Sequence, residues 1–361
     1  MSEQLATCSV IIPTHNRGEL TVRAVSSVLS NVPADGLEVI IVDDASTDGS
    51  TQALSAEYTK NSRVRLLSLR RNSGPSAARN AGLAAAGSDL ILFLDSDDRL
   101  LPRALAFARA ALRAVPKIRF VALDGDCITT FTGRCDRHAH LGNNLGWMAD
   151  VFRESVKWTV QVNPPEDMDE RPCKLVIGDF SETELYDDLF FLSGVVMHRR
   201  AALAAGGFNE RLWWGEDWDF MARLNLTGMG GYLDHVGFVR ETGRPDQLTR
   251  VGGSLRLAVT RQRILENLRA SRFFGDGPSR ALLRRAQAAA DYRLGRCLLD
   301  RRHVRPGRRY LLRGLRAGHK PLKTLVLLAG GKPVSALERR RNRFHDRSTQ
   351  QGANAPGSSK R

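Results

Sequence analysis

The first hundred residues alternate short aliphatic runs with stretches of helical period, and that alternation confines the chain to βαβ units stacked around a largely parallel sheet. Val10–Ile12 and Val39–Val42 read as the first two strands. Between them Leu20, Ala24, Val25, Val28 and Leu29 fall on one helical stripe, so the crossover is a helix. Val64–Leu67 and Leu90–Leu94 read as two further strands, with the Ala-rich Ser76–Ala86 as the helix between them. Open sheets of this kind bind ligands outside the carboxyl ends of their strands, and functional residues are expected there.

Farther along, the pattern weakens. Polar residues, Gly and Pro interrupt every apolar run from 120 to 180, which reads as mixed loop and short strand. Phe190–Met197 resumes a strand pattern, Arg199–Ala205 a helix ending at Gly206-Gly207, and Trp218–Leu226 a helix ending near Gly228. From about Ser254 the composition turns to Arg, Ala and Leu, with Leu282, Ala286, Ala290, Leu294 and Cys297 on one helical stripe. The expected architecture is an α/β domain over residues 1–250, a basic helical appendage over 251–344 and a disordered polar tail over 345–361.

Charge divides the chain in the same place. The 361 residues carry a formal net charge of +15. Residues 250–361 hold 28 Lys/Arg against 6 Asp/Glu, a net of +22, whereas residues 1–249 hold 26 against 33, a net of −7. The basic third permits a membrane-surface anchor, a nucleic-acid arm or a partner-docking appendage. Its few aromatic residues (Phe273, Phe274, Tyr292, Tyr310, Phe344) disfavour stacking on nucleic acid, and an anionic membrane surface is the preferred partner. An apolar share of 42% with 26% charged residues excludes wholesale disorder. Met1–Thr7 shows no basic-then-apolar leader, and no apolar run approaches the roughly 20 residues that a spanning helix needs. Five cysteines without a CxxC pair suit reduced thiols. The expected location is cytoplasmic, peripheral at the inner membrane face where the basic third engages it.

Four segments carry chemistry: Pro13-Thr14-His15-Asn16-Arg17, Asp43-Asp44-Ala45-Ser46-Thr47-Asp48, Asp95-Ser96-Asp97-Asp98 and Trp214-Gly215-Glu216-Asp217-Trp218. Any one Asp could simply cap a turn or helix. Together, carboxylates crowded at one sheet edge repel each other, and a divalent cation with oxygen ligands is the usual relief. Cys127, Cys135, Asp136, His138 and His140 match no standard zinc spacing and read as an irregular loop.

The succession of these segments resembles the family 2 glycosyltransferases of the GT-A fold over about residues 8–245. The resemblance implies a Rossmann-like, mostly parallel sheet flanked by helices, and a nucleotide-sugar donor, with UDP the expected carrier by family habit. By that resemblance Pro13, Thr14 and Asn16 at the first strand end, and Asp43 and Asp44 at the second, hold the base and ribose. Asp95-Ser96-Asp97 matches the DxD motif, which contacts the ribose and binds Mg²⁺ or Mn²⁺ through the diphosphate, with Asp97 the favoured metal ligand. Arg79 could reach a phosphate or the sugar. Asp217 is implied as the general base, Glu216 as its orienting neighbour, and Ser193, Gly194 and Trp214 as the sugar and acceptor side. His235 is the nearest candidate for the further metal-binding His of some GT-A enzymes, although it reads as a strand-end residue. No Gln-x-x-Arg-Trp signature is present, which favours single addition over processive synthesis.

The residue chemistry agrees with what the resemblance implies. A hard cation bridging carboxylates to a diphosphate neutralises charge that grows as the sugar bond breaks. An inverting transfer also needs a carboxylate to take the acceptor's proton on the opposite face. The acceptor implied is a glycan or lipid-linked hydroxyl. No G-x-G-x-x-G and no G-x-x-x-x-G-K-[ST] occurs, which counts against dinucleotide and P-loop enzymes. A sugar-phosphate nucleotidyltransferase and a non-catalytic binding protein acting through the basic tail stay open as alternatives.

Overall fold

The computed structural model describes residues 7–31, 36–129, 134–136, 149–164, 171–186, 188–244, 253–270, 278–319 and 321–328. The opening alternation folds as read. It runs β1 (Cys8–Thr14), α1 (Gly18–Leu29), β2 (Leu37–Asp43), α2 (Ser50–Tyr58), β3 (Val64–Ser68), α3 (Pro75–Ala85) and β4 (Leu90–Phe93). β1, β2, β3 and β4 pair in parallel, in the spatial order β3-β2-β1-β4. The chain therefore moves outward from β1 to β3 and then crosses to the other side of β1. Such a reversal opens a crevice at the carboxyl ends of the strands.

Both faces of β1, β2 and β4 are buried, which is why they read as continuous aliphatic runs. Val10 and Ile12 of β1 pack with Ala24, Val25 and Val28 of α1, on the face that also takes Phe107. Ile11 points to the other face, with Ala78 and Leu83 of α3 and with Phe93, Phe208 and Phe220. α3 lies so close to β1 that a Cβ on Gly82 would sit 2.3 Å from Ile11 Cγ2.

Next come β5 (Arg99–Leu100), α4 (Ala104–Ala114), β6 (Phe120–Thr129), β7 (Arg134–Asp136), α5 (Ala149–Ser155), β8 (Val156–Val162), β9 (Cys173–Gly178) and α6 (Ser181–Tyr186). β6 corrects the reading of residues 120–180. It is a ten-residue strand in the middle of the sheet, between β10 (Val195–His198) and β11 (Gly230–Thr242). Asp124, Gly125 and Asp126 hid it, yet Asp124 is buried against the Tyr232 hydroxyl and Gly125 lies under the Phe238 ring. Phe190–Met197 is not one strand. Leu192–Gly194 form a 3₁₀ turn and the strand starts only at Val195.

α7 (Arg199–Ala204) and α8 (Glu216–Asn225) precede β11, and α9 (Gly253–Ala270), α10 (Pro278–Asp300), α11 (Val304–Arg316) and α12 (Pro321–Leu328) follow it. By its contacts the chain divides into residues 1–286 and 287–361. α9, which composition assigned to the appendage, thus falls with the catalytic-type sheet. The tail expected over 345–361 lies outside the described residues. Among the described residues no helix is long and apolar enough to cross a membrane.

Gly82→Ala tests the α3 approach. A gain of about 1 kcal/mol in helix propensity is opposed by overpacking of about 1–3 kcal/mol, because Ile11 sits on a fully buried strand and cannot swing away. A net loss of stability in urea unfolding is expected; a stabilised variant would show that the helix can retreat.

Candidate active site

A cavity of about 880 Å³ lies at the carboxyl ends of β1, β2 and β4, within the first unit. The first two loops form its floor. Pro13, Thr14, His15, Asn16 and Arg17 line it. Asn16 and Ala45 both adopt positive φ, 53° and 57°, a backbone that Asn tolerates better than most residues. The strain is held by cross-bracing: Asn16 N–H donates to Ser46 Oγ at 2.8 Å, and Thr47 N–H donates to Asn16 Oδ1 at 2.8 Å. Asn72 Nδ2 donates to His15 Nε2 at 3.0 Å. That leaves His15 Nδ1–H to donate to the Asp44 carbonyl at 2.8 Å.

The adjacent aspartates at the end of β2 have separate roles. Asp44 lines the cavity, and its two oxygens accept the Ser73 and Gly74 N–H groups at 2.7 Å each. Asp43 is not on the wall. Its carboxylate accepts the Ser46 and Thr51 hydroxyls, so Asp43, expected at the donor, braces the β2–α2 loop.

Arg79 connects the two acidic ends. It is 4% exposed, donates from Nη2 to Asp95 Oδ1 at 2.7 Å and from Nη1 to Glu216 Oε1 at 3.0 Å, and stacks on Phe208 at 5.2 Å. Burial would lower its pKa, but the Asp95 and Glu216 carboxylates outweigh burial and raise it. Asp95 likewise ends below the ordinary range, because Arg79 overcomes the burial that would raise it. Glu216 moves the other way: burial and then Asp217 push it up more than Arg79 pulls it down.

Ser96 and Asp97 also line the cavity. Asp97 pairs with Arg244 at 2.5 Å and with Arg17 at 3.4 Å. Asp98 is pushed well up by burial, then by Asp95 and Asp97, and accepts the Ser193 hydroxyl at 2.6 Å. Ser193 also receives the Asp95 N–H at 3.2 Å. Ser193 therefore braces the loop after β4, and neither Ser193 nor Gly194 is among the cavity-lining residues; a Cβ on Gly194 would lie 2.4 Å from the Phe238 ring.

The opposite wall comes from the start of α8. Gly215 takes φ 70°, a left-handed turn that glycine permits, and aims Glu216 and Asp217 at the cavity. Asp217 Oδ1 accepts the Trp218 N–H at 2.8 Å. Trp214 lines the cavity with the Arg256 guanidinium 4.4 Å above it. Trp218 is a core residue whose indole N–H donates to the Glu184 carbonyl at 2.6 Å.

Asp188 and the α9 residues of the wall escape sequence reasoning, whereas Arg240, with Arg244, is a phosphate-contact candidate from the sequence. Asp188 faces the cavity, and burial, then Asp217, push its pKa well up. Its only signal was a carboxylate directly before the apolar run at Leu189. Arg240 stacks on Phe191 at 4.5 Å, and the fields of Asp98, Asp95, Asp188 and Asp217 outweigh its burial and raise it. Arg256, Leu257, Thr260 and Arg261 of α9 complete the wall. His235 lies inside β11, not at a strand end, and stacks on Phe107 at 4.1 Å, off the cavity wall.

A hard divalent cation fits here only as a partial shell. Asp95, with its side chain 42% exposed, and the neighbouring Asp97 offer carboxylate oxygens, the donors such ions take together with phosphates and water. Among the described residues no group of three or more His, Cys, Asp or Glu could hold a metal unaided.

Comparison with known proteins matches residues 9–115 to the family model for glycosyl transferase family 2. The succinoglycan biosynthesis protein ExoO of Rhizobium meliloti is 40% identical over 128 residues, which is 34% of this chain and 36% of that protein. The chain therefore matches about a third of the length of that relative. Staphylococcus aureus TarS 1-349 in complex with UDP-GlcNAc is similar in fold, with TM-score 0.60 and 18% identity over 86% of this chain and 81% of that one. The mannosyltransferase PcManGT of Pyrobaculum calidifontis, in complex with GDP-Man and Mn²⁺, aligns with TM-score 0.51 and 18% identity over 90% and 84%. The fold is GT-A.

Arg79→Met should destabilise by about 3 kcal/mol, the low end for a broken buried pair because Asp95 stays partly solvated. Urea unfolding that matches the parent would remove Arg79 from its bridging role. Glu184 supplies a pH test. Burial, then Asp188, push its carboxyl well above the usual range, so its stability contribution is full below the ordinary Glu pKa and is lost as pH rises through the raised value. Glu184→Gln should gain on the parent at pH 8 relative to pH 5; an equal difference at both pH values would contradict the buried-acid assignment.

Proposed function

We propose, from the match of residues 9–115 to the glycosyl transferase family 2 model, that the chain transfers a sugar from a nucleotide diphosphate sugar to a hydroxyl of a glycan or lipid-linked acceptor, with inversion. The observation that carries this reading is one cavity with Asp95 at one end, the Glu216-Asp217 pair at the other and Arg79 bonded to both. A nucleotidyltransferase would have no use for the second acidic end.

The donor's base and ribose lie along Thr14, Asn16 and Asp44, with UDP as the preferred carrier. Asp95 and Asp97 would hold Mg²⁺ or Mn²⁺, which neutralises diphosphate charge as the sugar bond breaks. Arg240, with no ion pair among the described residues and several carboxylates around it, contacts the diphosphate by charge-assisted hydrogen bonds. Arg244 is already bound to Asp97 and Glu241.

Asp217 is the base. Its Oδ1 is anchored at the helix N-terminus, and Oδ2 receives the acceptor proton as the attacking oxygen becomes acidic. Glu216 is tied to Arg79 and so orients the donor end instead of taking a proton. Burial and then Asp217 disfavour the charged form of Asp188, which lessens competing charge beside the base. Trp214, with Trp213 55% exposed beside it, offers indole faces to the acceptor sugar.

Asp217→Asn should lower transfer by about 10³-fold while donor affinity measured by calorimetry changes little; retained transfer would take the base role from Asp217. Incubation with a panel of nucleotide sugars and Mn²⁺ should give turnover and a raised melting temperature with at least one donor, both reduced by chelation. Neither effect with any donor would sink the enzyme reading.

A further inference from the structure

The cavity leaves the strongest charge feature of the chain unexplained. Within the second unit, α11 is amphipathic in an unusual sense: Gly307, Leu311 and Gly314 are buried along one face, and the opposite face is arginine. Leu312, 42% exposed, sits in the middle of that face. Its helical neighbours at i−7, i−4, i−3 and i+4 are Arg305, Arg308, Arg309 and Arg316, all exposed. Val304, 48% exposed, opens the same helix.

These arginines are not neutralised by the fold. Arg313 pairs with Asp291 at 3.2 Å and Arg308 donates to the Leu328 carbonyl at 3.2 Å. Among the described residues no ion pair involves Arg305, Arg309 or Arg316. An ordinary solvated helix face mixes both signs, whereas this one carries a single sign around an exposed leucine.

We propose that this face of α11 docks on an anionic bilayer. The arginines lie among headgroup phosphates while Leu312 enters the boundary with the acyl chains. Each Arg near the surface contributes at the level of a few-fold in binding, and several act together. Nucleic acid fits less well, because the centre of the face is an aliphatic side chain where a base would require an aromatic platform. The face shares no residue with the cavity lining, and its test does not depend on the transfer reaction.

The test uses the full chain sedimented with phosphatidylcholine vesicles, with and without phosphatidylglycerol. Binding should require the anionic lipid and weaken as salt rises. The triple variant Arg305→Glu/Arg309→Glu/Arg316→Glu should lose about 100-fold in partitioning. Leu312→Ser should lose about 10-fold with the salt dependence kept. If charge reversal disturbs folding by circular dichroism, the triple Gln variant replaces it with the same expectation. Equal binding to neutral and anionic vesicles, parental binding by a folded triple variant, or binding of RNA without binding of vesicles would each overturn the proposal.

Discussion

A single buried guanidinium decides the geometry of the site. Arg79 comes from α3, Asp95 from the loop after β4, and Glu216 from the start of α8. A planar fork can bond two carboxylates in fixed directions, which a lysine cannot. The spacing of Asp95 and Glu216 is therefore set by one side chain, which stands over the Phe208 ring. Phe208 in turn stacks on Phe220 of α8 and meets Phe93 of β4 edge-on, so the same aromatic cluster that builds the core positions the charge that builds the site.

Charge at the strand ends is then divided by environment. Asp95 and Asp97 have arginine partners and face the cavity. Asp98 and Asp188 also reach the wall, with Glu184 off it, and burial raises the pKa of all three. Crowding of carboxylates is tolerable because burial disfavours charge on the members that lack an arginine partner. Asp98 meanwhile accepts the Ser193 hydroxyl.

The sheet from β1 to β4 was legible because buried parallel strands are written as unbroken aliphatic runs separated by a helical stripe. β6 was not, since Asp124, Gly125 and Asp126 look like a turn and are strand residues only because Tyr232 and Phe238 on the neighbouring strand satisfy or cover them. The site shows the same division. Local pattern places Asp44, Asp95 and Asp217 at strand and helix ends, and all three line the cavity, but it cannot show that the adjacent Asp43 turns into the β2–α2 loop. Nor can it show that Ser193 bonds Asp98, ninety-five residues away in sequence. Contacts of that kind leave no local trace.

The positive charge of the C-terminal third tells the most about what composition can conceal. Its boundary near residue 250 is not the structural boundary, which falls after Ala286. Arg256 and Arg261 of α9 stand over Trp214 and Trp218 at 4.4 and 5.3 Å, so part of the basic run is cavity wall and is occupied by indole faces. In α11, Arg313 covers Tyr310 and pairs with Asp291, whereas Arg305, Arg309 and Arg316 have no ring or ion-pair partner among the described residues. The same residue type in the same compositional block thus has two physical situations: cations covering aromatic rings that shape a site, and cations left unneutralised around Leu312. Net charge counts them alike, and only their surroundings separate the arginines that build the cavity from those turned toward solvent.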